Sequence, residues 1–177
     1  MMATIKQSDA NIGGLDTLFG YCADDVENKN RIEIDGNNRF DEFISGFERF
    51  LKSPSYELYY KDTDLNLTPC EINSFVQLTK DYQEDENFNA ATGYFISRLI
   101  QNSYLSNFYN NKEINTRFHL NLLDFPFLPC LLHSVKADDE VPIEVIVDGD
   151  VGSYFGLRSN NLNITIRGKA GIHFCEK

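Results

Sequence analysis

The side chains of this 177-residue chain best able to act as nucleophiles, proton carriers or metal ligands are four cysteines and three histidines. Cys130 with His133, and Cys175 with His173, lie within three residues of each other. A thiol beside an imidazole can be activated for nucleophilic attack, but such partners usually meet only in space, so neighbourhood in sequence does not make a dyad. Cys22, Cys70, Cys130 and Cys175 are far apart and contain no C-x-x-C pair. A structural zinc site takes its ligands in close pairs. The expectation is therefore four reduced thiols packed as small apolar side chains, with no metal. Asp62-x-Asp64-x-Asn66 opens like a calcium loop, then places Leu67 where glycine is needed and Asn73 where a bidentate glutamate is needed. No G-x-S-x-G, H-E-x-x-H, phosphate-binding or dinucleotide-binding motif occurs. No pair of carboxylates sits in visibly different surroundings, as acid and base roles would require.

One cluster suits ligand binding. Arg98, Asn102 and Tyr104 fall on an otherwise apolar helical segment, and His119 lies on the polar face of a strand. A small-molecule pocket between that helix and the sheet would be lined by these four. The competing reading is a satisfied buried polar network.

The elements that would carry these residues follow from spacing. Phe40, Phe43, Ile44, Phe47, Phe50 and Leu51 recur at helical intervals among charged residues, which predicts an amphipathic helix started at Asn38 and stopped at Ser53-Pro54. Thr68-Pro69-Cys70-Glu71 carries a capping box with proline at the first helical position, so a second helix follows with Ile72, Phe75, Val76, Thr79 and Tyr82 on one face. Ala90 to Tyr109 is apolar around much of its circumference, which predicts a central buried helix. Phe118, Leu120 and Leu122 alternate with Arg117, His119 and Asn121, the pattern of a half-buried strand. Leu128 to Val135 is read as one helical turn or a second strand.

The last third repeats itself. Ile143 to Gly156 aligns with Leu162 to Cys175 at an offset of 19. Gly149 matches Gly168, Gly152 matches Gly171, Phe155 matches Phe174, and Val151 matches Ala170. Ile143, Val145 and Val147 match Leu162, Ile164 and Ile166. Self-similarity at a short period marks a solenoid coil, with the glycines permitting positive φ or close approach between coils. Asp148 and Asp150 then stack against Arg167 and Lys169, which predicts cross-strand ion pairs in place of a calcium site. About one and a half repeats are present, fewer than a solenoid normally needs. The strand at Phe118 to Leu122 supplies an irregular first coil, or another chain completes the last one, or the chain belongs to a longer repeat protein.

Asp148-Gly149-Asp150-Val151-Gly152 and Arg167-Gly168-Lys169-Ala170-Gly171 resemble the right-handed β-helix of the C-terminal domain of the glutamate synthase large subunit, and are similar to the repeat domain of a formylmethanofuran dehydrogenase subunit. The resemblance covers residues 142–177. It implies a packing element without catalytic residues. The whole chain also resembles uncharacterised archaeal proteins that join a helical N-terminal part to such repeats.

The expected fold is α+β, with about three helices followed by a short, incomplete right-handed parallel β-helix. The expected organisation is a mobile acidic arm over residues 1–38, a helical part over 39–112 and a β-rich part over 113–177. The chain carries a net charge of −11, which disfavours a phosphate-neutralising surface, so no nucleic-acid partner is expected. No apolar run spans a bilayer and no secretion signal is visible, so no membrane and a cytoplasmic setting are expected. Residues 141–177 are net neutral, leaving the full −11 to the remainder. A neutral module with an open strand edge suits packing against a protein partner or a second copy through residues 142–177. The leading expectation is a non-enzymatic structural or interaction module with no cofactor; the alternative is the pocket of Arg98, Asn102, Tyr104 and His119.

Overall fold

A computed structural model describes residues 38–52, 66–109 and 116–173. The expected N-terminal arm, Phe174 and Cys175 lie outside the described residues, except that Asn38 is the first residue of a helix. That helix, α1, is Asn38–Lys52. Helix α2 is Pro69–Leu78, continued by a 3-10 turn over Thr79–Tyr82, and helix α3 is Phe88–Tyr109. Three strands follow: β1 (Arg117–Asn121), β2 (Ile143–Asp148) and β3 (Leu162–Arg167). They form one parallel sheet in the order β1-β2-β3, so the described residues are an α+β mixture.

The helices join through aromatic edges. The Phe47 ring of α1 meets Phe75 at 6.1 Å, Tyr82 at 5.6 Å, Phe88 at 6.5 Å and Phe95 at 5.4 Å, all near edge-to-face. This is the geometry ring quadrupoles favour, and it ties α1 to both later helices and to the turn between them. Helix α2 begins as its capping box dictates: the Glu71 N–H donates to Thr68 Oγ1 (3.3 Å), and the Thr68 N–H donates to Glu71 Oε2 (2.8 Å). The phenylalanine stripe of α1, the inward rows of the strands and most of α3 form one core.

In the sheet, Arg117 pairs with Glu144 and Asn121 with Asp148; Ile143 then pairs with Leu162 and Asp148 with Arg167. Phe118, Leu120, Val145 and Val147 point into the core. Beyond the strands, isolated parallel bridges join Leu128 to Val151, Val151 to Ala170, and Lys136 to Asn160. Leu128 to Val135 is neither helical turn nor strand. Cys130, Leu132 and Ser134 alternate through left-handed backbone (φ 59°, 62° and 57°), a run of corners that hydrophobicity cannot signal.

The glycines lie where successive segments touch. A Cβ at Gly149, whose φ is +128°, would meet Leu122 backbone at 2.6 Å, and one at Gly168 would meet the Gly149 carbonyl oxygen at 2.0 Å. Gly152 lies as close to the Leu128–Pro129 backbone, and Gly171 to the Gly152 carbonyl. Phe155 is fully buried.

The expectation of four reduced thiols fails at Cys70, which is disulfide-bonded. Spacing along a chain does not say which cysteines meet in space. Cys130 is the free cysteine among the described residues. Among those residues, no helix is long and apolar enough to cross a membrane.

Candidate interaction edge

A sheet has two edges, and this one treats them differently. An edge strand presents unpaired N–H and C=O groups that invite another strand. At the C-terminal end of β1 those groups are met from within the chain. The Asn121 N–H donates to Asn73 Oδ1 (2.9 Å), and its carbonyl accepts from Gln77 Nε2 (2.7 Å). Asn73 and Gln77 stand one turn apart on α2, so one helix face covers the edge.

Helix α3 does the same for residues 129–141. Gly93, Ser97, Gln101 and Tyr104 fall on one stripe of it. Gly93 lets the helix touch bare backbone: a Cβ there would sit 1.9 Å from the Pro129 carbonyl oxygen. The Ser97 hydroxyl donates to the Cys130 carbonyl (3.3 Å). The Gln101 amide donates to the Lys136 carbonyl (3.0 Å) and accepts from the Lys136 N–H (2.6 Å). The Tyr104 hydroxyl donates to the Val141 carbonyl (3.0 Å) and accepts from the Asp138 N–H (2.9 Å).

At β3 the picture reverses. Among the described residues, no strand pairs with its outer edge. The Ile143 N–H donates to the Asn161 carbonyl and the Gly149 N–H to the Arg167 carbonyl. In a parallel ladder alternate residues face the neighbour, so the backbone groups of Leu162, Ile164 and Ile166 face outward. The side chains of these three are only half-buried, whereas their counterparts in β2 are fully buried. Ile172 is 68% exposed.

The outward sheet face carries a polar chain across all three strands. Asp148 Oδ2 lies 2.6 Å from His119 Nε2, and Asp148 Oδ1 accepts from Arg167 Nη1 at 3.3 Å. Arg117 pairs with Glu144 at 3.4 Å. The expected stacking of acids on bases thus occurs at Asp148 and Arg167. At the second position Asp150 accepts from the Lys169 backbone N–H (2.7 Å) instead of its ammonium.

Of the four residues expected to line a pocket, three lie on α3 and His119 lies on β1. Tyr104 is buried and uses its hydroxyl on two backbone groups. Arg98 is buried in α3, and Asn102 is half-buried on the same helix. His119 belongs to the Asp148 pair on the sheet. Around Cys130, burial pushes the thiol pKa up, opposed by a hydrogen bond with Tyr94. The Tyr94 ring meets His133 edge-on at 5.3 Å. Burial, with Arg158 nearby, holds the His133 imidazole below its ordinary pKa. Both shifts describe groups kept neutral. A reactive cysteine needs the opposite shift, toward thiolate. Among the described residues, no group of three or more His, Cys, Asp or Glu side chains is placed to hold a metal ion.

Sequence reasoning expected an edge at Leu162 to Ile166 and missed the helix contacts at the other side of the sheet. Asn73, Gln77, Gly93, Ser97 and Gln101 carried no signal, since a polar residue on a helix does not name the backbone it will reach. No family model, curated protein or solved structure matches the chain.

Proposed function

We propose that the chain is a non-enzymatic interaction module. In this reading its C-terminal part is a short parallel β-helix, sealed at one end by its own helices and open at the other. The contrast between the two sheet edges carries the proposal: helix α2 lies against β1 and takes both backbone groups of Asn121 with Asn73 and Gln77, while β3, among the described residues, turns Leu162, Ile164 and Ile166 outward with no strand beside them. The coil reading has its own support. The 19-residue spacing that equates Ile143 with Leu162 also relates the Cα partners of β2 and β3 and the Val151–Ala170 bridge. Backbone hydrogen bonds also recur between successive segments outside the strands: the N–H groups of Gly156, Ser134 and Tyr154 donate to the carbonyls of Leu131, Leu157 and Ile172. The stretch over residues 117–142 then serves as an irregular first coil, in line with the β-helix resemblance of the repeats. Helices capping the first coil supply the terminal element such arrays need.

A cytoplasmic site of action must be set against the disulfide at Cys70, because disulfides persist mainly in oxidising compartments. Hyperthermophilic cells, whose intracellular proteins are disulfide-rich, accommodate both.

The test is site-specific cross-linking in the source cell, with a photo-reactive residue replacing Ile172 or, as control, the exposed Glu84 of the helical part. Adducts formed at Ile172 and not at Glu84, whether with a second copy or with another protein, support the module. A chain whose native mass is that of one bare copy, and which cross-links equally at both positions, overturns it.

A further inference from the structure

We infer that the open edge takes an acidic strand from a different protein, laid parallel to β3. The inference rests on the interaction-module reading and adds the chemistry of the partner.

Three observations carry it. First, the backbone groups that face outward are those of Leu162, Ile164 and Ile166, alternate residues whose side chains form one half-buried apolar row. A partner strand bonding there must place its own apolar residues at every second position to extend the inward face. Second, residues 157–173 contain Arg158, Arg167 and Lys169 and no acid, in a chain of net charge −11. The Lys169 ammonium makes no ion pair among the described residues, and the Arg167 side chain is 62% exposed beside its single bond to Asp148. Third, the strand that β3 already accepts on its other side is acidic at the matching positions, Asp148 and Asp150. An acidic strand therefore fits beside β3, and the outer side offers the same apolar row together with the exposed side chains of Arg167 and Lys169.

The described strands of a second copy do not supply it. Its acidic strand β2 is flanked on both edges, by its own β1 and β3. Its open strand is β3, and a two-fold pairing of β3 with itself brings no carboxylate to Arg167 or Lys169. The partner is thus another protein offering the pattern apolar-x-apolar-x-apolar-acid-x-acid.

The probe is a fluorescent peptide with the sequence of residues 143–150, IEVIVDGD, compared with IEVIVKGK, each titrated with the full-length protein at low salt. The acidic peptide is expected to bind roughly three- to thirty-fold more tightly, the worth of two exposed ion pairs. Arg167→Glu with Lys169→Glu should reverse the order of the two peptides. Ile164→Pro removes one outward N–H while leaving the ladder to β2 intact, so it should abolish binding of both. Circular dichroism of each variant confirms that it folds. Equal binding of the two peptides, abolished by Ile164→Pro, overturns the acidic partner and leaves the interaction edge standing. Binding of neither overturns the inference, and if Ile172 also fails to cross-link, the interaction module falls with it. A dimer that peptide cannot displace and that Ile164→Pro dissolves overturns the inference in favour of a second copy.

Discussion

Gly93→Ala separates two opposite expectations. In an unconstrained helix the change stabilises by about 1 kcal/mol, because alanine is the better helix former. Here the new methyl would sit 1.9 Å from the Pro129 carbonyl oxygen and 3.1 Å from the Leu131 nitrogen, where ordinary contact begins at 3.4 Å. The obstructing atoms are backbone, so no side chain can swing away. Helix α3 and residues 129–131 must part by about 1.5 Å, a distance at which the two-way Gln101–Lys136 bonds of 3.0 Å and 2.6 Å no longer form. Overpacking of this kind costs about 1–3 kcal/mol. The two lost hydrogen bonds add about 1 kcal/mol each. Set against the propensity gain, the net loss is about 2–4 kcal/mol, or about 1–2 M in the urea midpoint. Urea unfolding followed by circular dichroism measures it. The double variant with Gln101→Ala should cost less than the sum of the single changes, since the first change has already broken the second contact. A Gly93→Ala chain that resists urea as well as the parent, or better, would refute the close apposition of α3 and residues 129–131.

Three further outcomes are expected. Thr68→Ala removes one half of the capping box and should cost about 1 kcal/mol, read from the thermal midpoint, whereas Thr68→Asn should restore most of it. The lowered pKa of His133 means that the unfolded chain takes up a proton near pH 6.5 which the fold resists, so this contribution is complete above that pH and lost below it. His133→Asn should therefore soften the fall in urea midpoint between pH 7.5 and 5.5, and an unchanged fall contradicts the assignment. Reducing the disulfide at Cys70 should lower stability by about 2–4 kcal/mol. Cys70→Ser should show the same loss with no further response to reductant, and a parent chain insensitive to reductant refutes the contribution.

What the sequence made legible was whatever repeats within a few residues. The phenylalanine stripe of α1, the Thr68 capping box and the strand alternation are local patterns with local causes. The pairing of β2 with β3 was legible for a related reason: Ile143-x-Val145-x-Val147 and Leu162-x-Ile164-x-Ile166 are alike enough to be set side by side. The helix contacts at the β1 edge were not. Asn73 and Gln77 reach Asn121 across more than forty residues, and an amide on a helix surface reads as solvated until the fold brings backbone to it. Gly93 reads as a helix weakness until Pro129 lies against it. Cys130 and Leu132 adopt left-handed backbone without the asparagine or glycine that usually announces it. His119 was placed on the polar face correctly, but its partner Asp148 lies one strand over and two positions along, a diagonal that no single-strand pattern encodes.

That diagonal has a consequence for how the strands find one another. In a sheet whose strands all alternate, a slip of one residue turns the apolar row outward and is forbidden. A slip of two leaves every apolar side chain inward, so hydrophobicity cannot reject it. Asp148 can. Its two oxygens are divided between His119, two positions along on one neighbour, and Arg167, directly opposite on the other, and a two-residue slip that carries either side chain farther away breaks its bond. A slip between β2 and β3 also drives a side chain into the space where Gly168 lies against Gly149. One carboxylate and two bare α-carbons thus act as an alignment key, choosing a single register from a set that burial alone would leave nearly equal in energy.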